Sequence, residues 1–273
     1  MMANDEKHIA HISDLHFGAA SDYAVNALID DLETSKPDIV VITGDLTQAG
    51  RRKEFEAARE FLGALSAKKL IVPGNHDLPV INLWSRFITP YNRFERFLSG
   101  MINPVYTDEM LTIAGLNTAR RAALDVNWSY GRISRTQIIN AADYLDRAPS
   151  QNIKVIAAHH PFTKGPGRAG SRIVGRGREA MTAFADKGLD IALTGHVHHS
   201  SAKLYEIENR KLVMIQAGTA TSVRTRQEPP AYNDIFASAS GLTVQTRFLQ
   251  GNKFTGGAEN RFIRDKSGDW NEE

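Results

Sequence analysis

Residues 38–77 read DIVVITGDLTQAGRRKEFEAAREFLGALSAKKLIVPGNHD. Two short β-branched runs, 38–43 and 69–72, bracket a stretch with a different period. Within 51–68, Phe55, Ala58, Phe61, Leu62 and Leu65 fall on one stripe at helical spacing. Strand, helix and strand in this order predict a βαβ unit, with parallel strands and a right-handed crossover. Each run ends in glycine followed by a polar residue: Gly44-Asp45 after the first, and Gly74-Asn75-His76-Asp77 after the second by way of Pro73. Ligands of open α/β sheets bind beyond the carboxyl ends of the strands, so both loops belong to one binding edge.

The same rhythm extends in both directions. Upstream, residues 9–13 read as a strand ending in Asp14-Leu15-His16, and 22–36 as a helix with Val25, Leu28, Ile29 and Leu32 on its apolar face. Asp14 to Asp45 spans 31 residues and Asp45 to Asn75 spans 30, about one βαβ unit each. Downstream, strands at 154–158 and 189–194 flank a helix near 177–187. The first ends in His159-His160-Pro161 and the second in Gly195-His196-Val197-His198-His199. The middle, 78–150, is less regular. It contains Trp84, Phe87, Tyr91, Phe94 and Phe97, a strand at 111–116 and a helix at 135–147. Further strands are expected at 211–216, 232–236 and 242–249, and the glycine-containing polar end reads as a tail. The expected organisation is one α/β domain over 1–250, an insertion or cap within 78–150, and a polar C-terminal tail at 251–273.

Composition narrows the function classes. A chain of 273 residues hides about 73% of its unfolded surface on folding, enough for a sizeable core. Lysine and arginine number 33 against 31 acidic residues, too even a balance for a whole-surface nucleic-acid binder. With no cysteine there is no disulfide scaffold, zinc–thiolate site or cysteine nucleophile. No apolar run approaches a membrane span and the start lacks an apolar leader, so a soluble, cytoplasmic protein is expected.

The residues gathered at the five strand ends are two carboxylates, one amide and four or five imidazoles. Oxygen and imidazole donors suit manganese, iron or zinc and are too nitrogen-rich for a magnesium or calcium cage. Seven donors exceed what one ion with an open position accepts. Two ions about 3.5–4 Å apart, sharing one carboxylate, would use them all and form a clamp for phosphoryl transfer. In that arrangement the loops of Asp14 and His16 hold one ion, Asn75 and His159 the other, and Asp45 bridges. Burying seven such groups with no ion would be costly.

The ordered set D-x-H, GD, GNHD, HHP and GHxH resembles the calcineurin-like metallophosphoesterases, over about residues 9–200 with a further family-like stretch at Ala217-Gly218-Thr219. The resemblance implies a β-sheet sandwich flanked by helices, with a cap-like insertion. It also implies that Asp14, His16, Asp45 and His198 hold one metal, and that Asp45, Asn75, His159 and His196 hold the other. Gly44-Asp45-Leu46-Thr47 with Gly50 and GNHD is closest to the class III cyclic-nucleotide phosphodiesterase branch. Gln48 and Asp77 depart from the protein-phosphatase pattern, and His76 from that of the lipid A pyrophosphatases.

The implied activity is hydrolysis of small phosphodiesters, cyclic nucleotides first, by a hydroxide bridging two metal ions. His76, beside Asn75 without being a ligand, is the candidate general acid. His160, Arg172 and Arg224 are candidate substrate contacts; strand alternation turns His160 away from His159, and a structural role is as strongly expected for it as substrate contact. Arg172 lies in a basic glycine-rich loop with Lys164, Arg168, Arg176 and Arg178, and Arg224 is followed by Arg226. His11 and His199 read as structural, Asp77 as an organiser of its loop, and the aromatics of 84–97 as core or cap packing or a contact between copies. The competing readings are a phosphomonoesterase or nucleotide pyrophosphatase of the same fold, and a metal-binding scaffold. The expected partner is a small phosphoester substrate, with neither nucleic acid nor membrane, and homo-oligomerisation through the insertion.

Overall fold

A computed structural model describes residues 6–80, 83–99, 101–121, 129–163, 173–221 and 228–273. In chain order the strands and main helices are β1 (Glu6–Ile12), α1 (Asp22–Ser35), β2 (Ile39–Thr43), α2 (Arg52–Ala64), β3 (Lys68–Val72), α3 (Leu83–Ile88), α4 (Asn92–Phe94), β4 (Val105–Thr107) and β5 (Leu111–Leu116). There follow α5 (Arg135–Asp146), β6 (Ile153–Ala158), α6 (Gly177–Asp186), β7 (Ile191–Thr194), β8 (Ser201–Ile207), β9 (Arg210–Gln216), β10 (Ala231–Ser238), β11 (Gly241–Gln250), β12 (Lys253–Arg264) and β13 (Trp270–Glu272).

Two sheets stack face to face. One runs β13-β12-β11-β10-β1-β2-β3 and the other β4-β5-β6-β7-β9-β8. β1, β2 and β3 are mutually parallel, as are β5, β6, β7 and β9. The parallel strands are buried on both faces, and their side chains alternate between two cores. Ile9, Ile39, Val41 and Val72 meet Ile113, Val155, Ile191 and Val213 between the sheets. Ala10, Ile12, Val40 and Ile42 point outward against α1 and α2, and Leu116, Ile156, Ala158 and Ala192 against α5 and α6. The result is four layers, helix–sheet–sheet–helix, as expected of a helix-flanked sandwich. All five residues of the expected stripe are buried, four on α2 and Leu65 just past its end. At the start of α5, Ser134 Oγ accepts from Gln137 N–H and Gln137 Oε1 accepts from Ser134 N–H, a capping box that fixes the helix start.

The C-terminal expectation is corrected. Residues 251–273 form no tail: β12 pairs with β11 along nearly its whole length, and β13 pairs with Phe262–Arg264. Trp270 and Phe262 anchor this end in the inter-sheet core. Polar residues dominate there because one face of the hairpin meets water. The aromatics of 84–97 divide between core and surface. Phe94 is buried against α2, whereas Trp84 is 78% exposed and Phe87 is 42% exposed. Within 78–150, β4, β5 and α5 belong to the second sheet and its helix layer; the helical stretch 83–99 lies outside them.

Candidate metal centre

The carboxyl ends of β1, β2, β3, β6 and β7 open onto one edge, where their loops are cross-bonded. Asp14 N–H donates to Gly44 O and His16 N–H to Asp45 O, each at 3.0 Å, and Gly195 N–H donates to His159 O at 3.0 Å. Among the described residues eight non-glycine positions have left-handed backbone, and five of them are Asp14, His16, Asp45, His196 and His198. Such backbone is strained for L-residues and persists where the surroundings over-determine it. The motif glycines have a steric cause. A Cβ on Gly74 would stand 2.1 Å from Asp45 Oδ1, and one on Gly195 1.9 Å from Ser13 Oγ. Any larger residue would push the loops apart.

Two clusters result. In the first, buried Asp14 uses Oδ2 to accept from Ser13 Oγ (2.6 Å) and from His196 N–H (3.0 Å). Its Oδ1 faces His16 Nε2 at 3.7 Å and His198 Nδ1 at 3.6 Å without a hydrogen bond to either. Asp14 Oδ1 and His16 Nδ1 are buried with no hydrogen-bond partner among the described residues. In the second, Asp45 Oδ1 accepts from His76 N–H at 2.8 Å while Oδ2 lies 3.2 Å from His159 Nε2. Asn75 Oδ1 and His196 Nδ1 also lie 3.2 Å from that nitrogen. His159 Nδ1 donates to Thr43 O at 2.7 Å, which leaves Nε2 to meet three electron-rich atoms.

Ligands of an ion with bonds of about 2.1 Å at right angles stand about 3 Å apart, so this spacing suits donors around a cation. The orphaned Asp14 oxygen and the mixed oxygen–imidazole donor set fit a transition metal. The groups Asp14–His16–His198 and Asp14–Asp45–His159 each bring their ligand atoms within 4.8 Å of one another.

The electrostatics of the metal-free cluster agree. Burial opposes the His159 imidazolium, but Asp45, aided by Asp14 and the Thr43 carbonyl, outweighs it and holds the pKa at about 9. Burial likewise disfavours the Asp45 carboxylate, yet His159 holds it well below the usual range. Burial, then the His159 charge, lowers His196 to about 4.

His76 is half-buried. Its Nδ1–H donates to Gln48 O at 2.7 Å, which directs Nε2 to the site, and its ring meets that of His16 edge-on at 5.0 Å between centroids. Asp77 ties two motif loops together: Oδ1 accepts from Thr47 N–H and Oγ1, and Oδ2 from Gly74 N–H. That is the organising role expected of it.

His160 requires a correction. Strand alternation was expected to turn it away from His159, but β6 ends at Ala158 and alternation ends with it. Its ring lies 4.8 Å from that of His159 and 4.6 Å from that of His196. Both nitrogens are engaged: Thr118 Oγ1 donates to Nδ1 at 2.7 Å and Nε2–H donates to Ser129 O at 2.9 Å. Burial first, then the neighbouring His196 and His159 imidazoles, pushes its pKa well below the usual histidine range. A side chain so committed supports its neighbours and has no nitrogen left for substrate.

His11 is buried, bonds Thr43 Oγ1 through Nε2, and is lowered to about 3 by burial. His199 lies outside both clusters and pairs with Glu228. Arg172 and Arg224, with Lys164, Arg168 and Arg226, lie outside the described residues. Ser13 and Thr219, which bond Asp14 and His198, escaped the sequence reading although each lies beside or within a recognised motif. Thr118 carried no signal at all, because its role depends on a loop brought in from β5.

The calcineurin-like phosphoesterase family matches residues 7–200 of the chain. A probable glycerophosphodiester phosphodiesterase of Arcobacter nitrofigilis is 26% identical, over 91% of this chain and 94% of its own length. A probable cyclic nucleotide phosphodiesterase of Synechococcus sp. is 24% identical, over 82% of this chain and 84% of its own. Among solved structures, PhoD superposes with a TM-score of 0.71 at 12% identity, covering 98% of this chain and 71% of that one.

Proposed function

The chain belongs to the calcineurin-like phosphoesterases and is a metal-dependent phosphoester hydrolase; on that premise we propose that it is a two-metal phosphodiesterase acting on small diesters. One ion would be held by Asp14, His16, Asp45 and His198, the other by Asp45, Asn75, His159 and His196. When bound, such a pair supplies Lewis-acid charge to the phosphoryl oxygens and lowers the pKa of water.

The protein's own groups do the rest. The carboxylates of Asp14 and Asp45 lie buried between imidazoles, so the cluster is built to balance cations. Asp45 has one oxygen fixed by His76 N–H and presents the other to the second cluster. The Gln48 carbonyl holds the Nδ1 proton of His76, so Nε2 is the nitrogen that delivers a proton to the leaving alkoxide.

The observation that carries this reading is the approach of Asp45 Oδ2, Asn75 Oδ1 and His196 Nδ1 to His159 Nε2 at a common 3.2 Å, beside the orphaned Asp14 Oδ1. The full-length similarity to a probable glycerophosphodiester phosphodiesterase favours glycerophosphodiesters as substrates, and the second similarity keeps cyclic nucleotides as the other reading. The test is to strip the protein with chelator, reload it with manganese, iron or zinc, and compare both diester classes with a monoester and a pyrophosphate. Metal-restored turnover of diesters is expected; turnover of the monoester alone would refute the diesterase reading. The His76→Ala variant should keep its metal and lose about 10²–10⁴-fold on alkoxide leaving groups, with far less loss on nitrophenolates.

A further inference from the structure

The helical stretch 83–94 is bonded to the exits of three site loops, and Arg86 is its centre. This side chain is buried, only 2% exposed. Its guanidinium donates to three main-chain carbonyls: Nη1 to Pro79 O (3.1 Å), Nε to Arg121 O (3.1 Å) and Nη2 to Arg120 O (3.3 Å). Tyr91 Oη donates to Ala119 O at 2.8 Å and Arg93 Nη1 to Gly50 O at 2.6 Å. Pro79 lies three residues after His76. The 119–121 strip follows Thr118, whose hydroxyl holds His160 against His159 and His196. Gly50 closes the loop that carries Asp45 and Gln48, and its N–H donates to Thr47 Oγ1.

A planar fork of donors can hold two chain segments at a fixed separation, which an ammonium cannot do. Burying a guanidinium is costly unless its donors are used, and here one side chain spends them on the exits of two loops from opposite sheets. We infer that Arg86 is a positioning residue of the hydrolase: it sets the distance between the His76 loop and the 117–121 strip, and so places His76 Nε2 against the leaving oxygen. The inference rests on the reading of His76 as proton donor. It assigns the insertion an effect on the chemical step, acting through main-chain carbonyls with no contact to substrate.

The test uses Arg86→Met and Arg86→Lys in the manganese-loaded enzyme, with His76→Ala as reference. A displacement of about 1 Å at a reacting group can cost about 10²-fold. Arg86→Met is expected to lower kcat on a glycerophosphodiester about 10-fold to 100-fold, with KM and metal content little changed and bis(4-nitrophenyl) phosphate largely spared. Arg86→Lys, which keeps the charge and loses the fork, should show the same selective loss to a smaller degree, and it carries the test if the methionine variant does not fold. Equal loss on both substrates, or no loss with either variant, overturns the inference. If His76→Ala itself shows no dependence on leaving group, the proton-donor reading has failed instead. The two failures are therefore distinguishable.

Discussion

Two buried acidic centres in this molecule invite comparison. At the far side from the site, Asp190 precedes β7 and is almost wholly enclosed. Its Oδ1 accepts from Arg210 (3.0 Å), Arg264 (2.5 Å) and Trp270 Nε1 (3.2 Å), and its Oδ2 from Lys154 N–H (2.9 Å). Both oxygens meet donors, and the cluster fastens the β12–β13 end onto the second sheet. At the opposite edge, Asp14 and Asp45 are equally buried, yet Asp14 Oδ1 has no donor among the described residues and Asp45 Oδ2 faces a nitrogen that also faces two other ligand-type atoms. Buried charge that holds a fold together arrives with its counter-charge and its hydrogen bonds. At the site edge the buried carboxylates stand among ligand-type atoms on strained backbone: the His159 imidazolium is the positive partner of Asp45, while Asp14 Oδ1 is left without a donor among the described residues.

That contrast can be broken from either end. The largest effect is expected from Asp45→Asn, which removes the carboxylate that the proposed function assigns to both metals. Diester hydrolysis should fall by at least about 10³-fold while the circular dichroism spectrum stays native. Retention of more than a tenth of the activity would remove Asp45 from the centre.

Asp190→Ala should do the reverse. Removing one partner of a buried ion pair costs about 3–5 kcal/mol. The lower end applies here, because Arg210 and Arg264 keep 22% and 20% side-chain exposure and can be partly rehydrated. Denaturant titration should register that loss with kcat unchanged. A parallel loss of activity, measured well below the unfolding midpoint, would mean the two centres are coupled.

The smallest effect concerns protons. In the metal-free protein His159 is held at about 9, so near pH 7 it is protonated, and it must give up that proton before Nε2 can bind a cation. Metal affinity should therefore climb as pH rises toward 9 and level off above it. Calorimetric titration in two buffers of different ionisation enthalpy should show about one proton released per chain at pH 7. No release would contradict the His159–Asp45 pairing.

The site was far more legible in the sequence than its surroundings. The motif spacing carried Asp14, Asp45, Asn75, His159 and His196 because each follows a buried strand, and parallel strands buried on both faces announce themselves as β-branched runs. The motif glycines were legible as letters, but their cause, the approach of Gly74 to Asp45 and of Gly195 to Ser13, is a packing fact between loops from different strands. Lys253–Arg264 escaped because a hairpin with one wet face carries few apolar letters; Phe254, Phe262 and Trp270 alone pay its cost of ordering. β8 escaped for the same reason, as a half-exposed strand at a sheet edge. For His160 the alternation fails because the residue lies two positions beyond the end of β6, the strand it would govern.

The most direct measurement is anomalous scattering from manganese-loaded crystals. Two peaks should appear, one among Asp14, His16, Asp45 and His198 and one among Asp45, Asn75, His159 and His196, with Asp45 touching both. Fully loaded crystals with no peak at this edge, or with a single peak that leaves Asp14 Oδ1 unbound, would contradict the account.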